Sequence, residues 1–166
     1  MQQFDALRNS MLLENGLAAE FFAAFARWEF ALKDSGYFVP NREDAVADWD
    51  RLANELGIHF LPNRTKEVAD AVEFLMKVPP NKQVIEDGRI NLVPRPRPAT
   101  EPQLLSLIHY VRRMRNNLFH GGKDFSTLAF VERDKTLLKH GLIILAECLV
   151  LAEEHSRALY DSFFEN

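Results

Sequence analysis

Cysteine is almost missing from this chain: Cys148 is the only one in 166 residues. One thiol closes no intrachain disulfide and supplies no Cys-x-x-Cys pair, so neither cross-links nor a thiolate cluster hold the fold. Glycine is scarce too, at 7 residues. None is placed as a phosphate loop, a glycine-rich dinucleotide turn or a Gly-x-Ser-x-Gly elbow. The histidines (His59, His109, His120, His140 and His155) are scattered without the spacing of a His-Glu-x-x-His zinc site. No metal and no cofactor is expected. Long apolar runs are lacking as well: none approaches the ~20 residues of a membrane span, and MQQFDALRNS lacks a signal-peptide pattern. The expectation is a protein of a reducing, cytoplasmic setting without membrane contact.

What is present suits one globular domain over residues 1–166, with 47% hydrophobic and 27% charged residues. The formal net charge of −4 argues against a protein that coats nucleic acid non-specifically. Charge is nevertheless segregated. Leu105 to Lys123 holds Arg112, Arg113, Arg115 and Lys123 with no acid, so the other residues are markedly acidic. Such a patch is either a solvated basic face or a site for one phosphate or a short anionic stretch.

Periodicity and punctuation predict an all-α fold with a small β-hairpin near 83–93. Gln2–Glu14 suits a short helix, and Leu17–Tyr37, rich in alanine and phenylalanine, a long one with Glu20, Arg27 and Asp34 on its solvent stripe. Asn41 is placed to cap a helix that runs to Leu56 and stops at Gly57. Arg64–Lys77 follows, with Val68, Ala71, Val72 and Leu75 as its apolar stripe and Pro79–Pro80 as its end. Gln83–Ile85 and Ile90–Val93 flank Asp87-Gly88, a hairpin turn signal. Val93–Pro98 reads as an extended connector, whose Arg95 and Arg97 either solubilise it or supplement an anion site. Asp134 is positioned to cap a last helix over Lys135–Phe163, whose middle, LIILAECLVLA, is apolar nearly all round and needs burial in the core or by a partner chain.

The centre of the chain is the stretch Glu101–Lys123. Thr100 and Gln103 are spaced as a capping box, Pro102 is tolerated in a first turn, and Gly121-Gly122 supply a stop. Leu104, Leu107, Ile108, Val111, Met114 and Leu118 fall within an arc of about 120°. His109, Arg112, Arg113, Asn116 and His120 occupy the other side. Arg115 breaks the pattern, because it lies inside the apolar arc. An arginine keeps its charge, so its head snorkels out, meets a carboxylate, or faces a second subunit. Glu29 is an acid set among Phe25, Ala26, Trp28 and Phe30 on the long N-terminal helix. It is answered either by Lys33, four residues on, or by Arg115.

The string RNNLFH, Arg115–His120, in the setting VRRMRNNLFHGGK, resembles the arginine-x4-histidine motif of the HEPN superfamily of small helical domains. Arg115 matches the motif arginine, Asn116 the polar residue that often follows it, and His120 the histidine; the glycine after it is also usual there. Glu29 and Lys33 match an acid and a base four residues apart in that superfamily's long N-terminal helix. The sharp part of the resemblance covers about a dozen residues, and the hairpin and proline segment are not general features of the group. The resemblance implies an all-α, HEPN-like helical bundle of four to five main helices, dimerised through the motif helix. In many members it implies metal-independent endoribonuclease activity as toxins or antiviral defence effectors, often beside a nucleotidyltransferase-like antitoxin partner.

The residue chemistry agrees with that implication. Cleaving RNA by 2′-hydroxyl attack needs a base, a cation for the phosphorane and an acid for the leaving oxygen. His120 titrates near neutrality, and the guanidinium fork of Arg115 suits phosphate oxygens. Asn116 is placed to hydrogen-bond the imidazole or the ribose, and Glu29 to fix the arginine. Arg112, Arg113, Lys33 and Lys123 are the candidate RNA contacts. One motif histidine per chain makes a composite dimer site the simplest way to supply both base and acid. Two other classes remain open: a non-catalytic module of the same fold that binds RNA or a nucleotide, and a helical homodimeric interaction protein.

Overall fold

The computed structural model describes residues 15–40, 42–119 and 128–165. The expected N-terminal helix Gln2–Glu14 therefore lies outside the described residues, as do Asn41, His120, Gly121, Gly122 and Lys123. The described residues form six helices and one hairpin: α1 (Asn15–Asp34), α2 (Trp49–Gly57), α3 (Lys66–Lys77), β1 (Lys82–Glu86), β2 (Arg89–Val93), α4 (Gln103–Phe119), α5 (Leu128–His155) and α6 (Arg157–Phe164).

Helix α1 buries Phe21, Phe25, Trp28, Ala31 and Leu32, a spacing of three and four that keeps one face on the core. It ends in a left-handed glycine: Gly36 has φ +83, with Gly36 N–H donating to Lys33 O and Tyr37 N–H to Leu32 O. That pattern satisfies the last carbonyls of the helix. Arg27, expected on the solvent stripe, is half-buried; its guanidinium donates to the Phe163 and Glu165 carbonyls and ties the end of α6 to α1.

Helix α2 starts at Trp49, later than a cap at Asn41 predicts. The intervening chain folds back on itself, with an isolated bridge between Phe38 and Ala47 and Asp48 N–H donating to Tyr37 O. Asp48 is the cap, its carboxylate accepting from Arg51 N–H at 2.9 Å. In α3 the expected stripe of Val68, Ala71, Val72 and Leu75 is buried, and Thr65 caps the helix through Val68 N–H.

The hairpin pairs Lys82 with Val93 through to Glu86 with Arg89. Asp87 (φ 52) and Gly88 (φ 72) make its two-residue turn; positive φ at both positions matches the twist of the flanking strands. The motif helix α4 opens at Gln103, not at a Thr100 cap. Pro102 disfavours helical geometry at Glu101, and the first ladder bond runs from Ser106 N–H to Pro102 O. Its arc of Leu104, Leu107, Ile108, Val111 and Met114 is buried, joined by Ser106 and Tyr110.

The last helix differs at both ends from the expected Lys135–Phe163. It begins at Leu128, so Asp134 lies inside it and not at its N-terminus. It breaks at Ser156, whose φ of −147 leaves the helical region. The break turns α6 back onto α1, where Phe163 packs 5.1 Å from Trp28; a continuous helix would carry Leu159 and Phe163 away at 1.5 Å per residue. The apolar middle of α5 is covered by the chain's own helices, with Ile144, Leu145, Cys148, Leu151 and Ala152 buried. No helix among the described residues is long and apolar enough to cross a membrane.

Candidate functional site: a basic cleft along the motif helix

The polar side of α4 does not face open water along its whole length, because the base of the hairpin is fastened to it. Asn117 Nδ2 donates to Asn81 O at 2.8 Å. Arg113 Nη1 donates to Pro80 O and Arg95 O, at 3.0 and 2.7 Å. Arg133 on α5 reaches Pro79 O at 2.9 Å. The proline connector is pinned from the other side, with Arg97 N–H donating to the buried Tyr110 hydroxyl at 2.8 Å. These bonds satisfy backbone groups that pair with no strand.

Between helix and hairpin base lies a cleft of about 460 Å³. From α4 it is lined by His109, Arg112, Arg113, Asn116 and Asn117, and from the hairpin side by Lys82, Gln83 and Arg97. Four lining residues are permanent cations and none is an acid. Their availability differs. Arg97 is held by Glu101, which also accepts from the Ser106 hydroxyl. Arg113 is engaged with the two carbonyls and stands over the Tyr110 ring. Arg112 is ion-paired with Asp50 at 3.1 Å. Lys82 has no ion pair among the described residues, and Gln83 Nε2 is buried without a hydrogen-bond partner.

Titration follows these contacts. Hydrogen bonds from Arg97, reinforced by Ser106, hold the Glu101 carboxyl down to about 2. Burial pushes His109 below its ordinary value, against the pull of Asp50, whose carboxylate lies 3.6 Å from Nε2. Burial also lowers Arg113, although a guanidinium held by two carbonyls keeps its charge at neutral pH.

Of the motif residues, Arg115 is half-buried, its stem on the core and its guanidinium 5.7 Å from the Phe25 ring centroid. Its Nη1 donates to Asn116 Oδ1 at 3.2 Å, so Arg115, which does not itself line the cleft, adjoins it through Asn116. Glu29 and Lys33 are half-buried on α1 and do not line the cleft. No hydrogen bond or ion pair joins Glu29 to Lys33 or to Arg115. His120 and Lys123 lie outside the described residues.

The chain matches no protein-family model, no curated protein and no solved structure.

The cleft thus unites Arg112, Arg113 and Asn116 from the sequence-derived set. It brings in Arg97, one of the two connector arginines that the sequence left open as a supplement to an anion site, and adds His109, Lys82, Gln83 and Asn117, which that set omitted. A signal existed for His109 and Asn117: with 112, 113 and 116 they complete one polar helical face. Nothing in the strand sequence indicates that Lys82 and Gln83 meet that face. Among the described residues no group of three or more His, Cys, Asp or Glu side chains could hold a metal ion. The donor set suits an anion, with a lysine ammonium, an arginine fork and amide N–H groups.

Proposed function

We propose that this protein is a HEPN-like, metal-independent endoribonuclease whose substrate strand lies along α4. The observation that carries the reading is the cation-lined cleft opening beside Arg115 and Asn116. A phosphodiester backbone seated on Lys82 and Arg112 passes the motif at the end of the same helix. There Arg115 supplies charge to the phosphate oxygens and His120 moves the proton of the 2′-hydroxyl or of the leaving 5′-oxygen. With one motif histidine per chain, the second proton transfer is assigned to a second copy, and the working unit is a homodimer. This chemistry fits a toxin or antiviral defence effector, with an antitoxin partner as part of the same proposal.

The test is incubation of the purified protein with RNA in EDTA, reading for products with 2′,3′-cyclic phosphate ends. Cleavage abolished by His120→Ala and by Arg115→Ala supports the reading. Intact RNA with wild type and variant alike overturns it. Growth inhibition on expression, relieved by His120→Ala, is the corresponding test in cells.

One observation favours a second reading, a binding module that holds RNA or a nucleotide without cutting it. Arg97 and Arg113 are tied up in intramolecular bonds, so much of the cleft's charge organises the protein itself. This reading expects salt-sensitive binding, weakened by Arg112→Ala, with no product formed.

A further inference from the structure

Strands β1 and β2 leave the helical body as an arm. At its base Gln83, Val84, Leu92 and Val93 are half-buried, whereas everything from Ile85 to Asn91 is exposed. Side chains alternate along a strand, so Gln83 and Ile85 share one face of β1. The register sets Leu92 and Ile90 opposite them on β2. Ile85 and Ile90 are thus a direct cross-strand pair, at 78% and 68% exposure, and they are among the most open large apolar side chains described. A two-stranded arm has no second layer to cover such a pair.

The inner end of the same face is Gln83, which lines the basic cleft. Its buried amide nitrogen has no acceptor among the described residues, and a buried donor without a partner is uncommon in folded proteins. Lys82 beside it has no ion pair among the described residues. Along the arm, therefore, the apolar Ile85–Ile90 pair below the charged turn gives way to a vacant donor and then to cations. A single strand of RNA has the same alternation, apolar base faces on one side and phosphates on the other. A duplex has not, because its base faces are stacked away.

We infer that the β1–β2 arm is the second wall of the RNA site, with unpaired bases lying on Ile85 and Ile90 while the adjoining phosphates meet Lys82 and Arg112. The arm makes the protein selective for single-stranded RNA. This rests on the RNA reading above and adds the substrate class to it.

Fluorescence anisotropy with a labelled single strand and with a duplex of the same sequence tests the inference. Wild type is compared with Ile85→Thr/Ile90→Thr, which keeps the β-branched shape that suits strands. The expected result is at least tenfold tighter binding of the single strand by wild type. The variant loses about tenfold on the single strand and stays within twofold on the duplex. Equal binding of both RNAs by wild type, or an unchanged variant, overturns the arm's role and leaves the RNA reading standing. No binding of any RNA by wild type overturns both. A dimer in light scattering that the double variant converts to a monomer also overturns the inference, because a second copy would then cover the isoleucines.

Discussion

Glu101 is the acid on which the start of the motif helix is built, and its protonation can be followed as stability. Its carboxylate accepts from Arg97 Nε at 2.8 Å, from the other arm of the same guanidinium, and from the Ser106 hydroxyl. Only 11% of its side-chain surface is open. These bonds lower its pKa from 4.5 to about 2. A depressed acid contributes stability that is present above the unfolded value and lost as pH falls through the folded one. At ~1.4 kcal/mol per pH unit, the contribution is about 3 kcal/mol at pH 7 and about 1.5 kcal/mol at pH 3. Against a total of ~5–15 kcal/mol for a typical domain, that is readily measured. Urea unfolding of wild type and Glu101→Gln at both pH values isolates it, because the other carboxylates are common to the two proteins. The expected deficit of the variant is larger at pH 7 than at pH 3 by ~1.5–2 kcal/mol. A deficit that does not change with pH refutes the clamp as the source.

Gly141→Ala should destabilise the protein by about 1–3 kcal/mol in thermal melts, although alanine is the better helix former. A Cβ there meets Met114 Cε at 2.8 Å and Phe21 Cε2 at 2.9 Å, where α5 crosses α4 and α1. Burial against Phe74 holds the His140 pKa below its ordinary value of 6.5. The unfolded chain then binds the proton first, so stability falls as pH drops below 6.5; His140→Leu should flatten that slope between pH 7 and 5 in urea titrations. If phosphates lie in the cleft, Lys82→Ala and Arg112→Ala should each weaken RNA binding regardless of sequence. Each should also reduce the slope of log Kd against log salt by ~0.7–1. Arg64→Met should cost about 2–3 kcal/mol in urea unfolding, because Glu147, 4% exposed, loses the guanidinium 3.2 Å away. Glu147→Gln in the same background should recover most of it.

Much of the helical framework is legible without coordinates. The stripe of α3 and the apolar arc of α4, apart from half-buried Leu118, are buried as their spacing predicts, because a helix that hides one face must repeat its apolar residues every three or four positions. Asp87-Gly88 marks the hairpin for a similarly local reason: few residues accept positive φ. The unusual position of Arg115 is visible from the same wheel. Two helix ends are legible as well, Gly57 for α2 and Lys77 before Pro79–Pro80 for α3, but several others are not. Asp48 caps α2, Pro102 delays α4, and Ser156 breaks α5, and these choices depend on what the flanking chain pairs with.

The site divides along the same line. Sequence alone determines that one face of the central helix concentrates cations, since that needs only a period of 3.6 residues. Tertiary structure decides which of those cations remain available. Arg113 goes to carbonyls of a proline segment 18 and 33 residues away in the chain, while Lys82 and Gln83 are brought in by a hairpin whose own sequence says nothing of its neighbour. Periodicity reports the direction in which a side chain leaves its helix. The group it meets there is set by how separate elements pack, and local spacing carries no record of that.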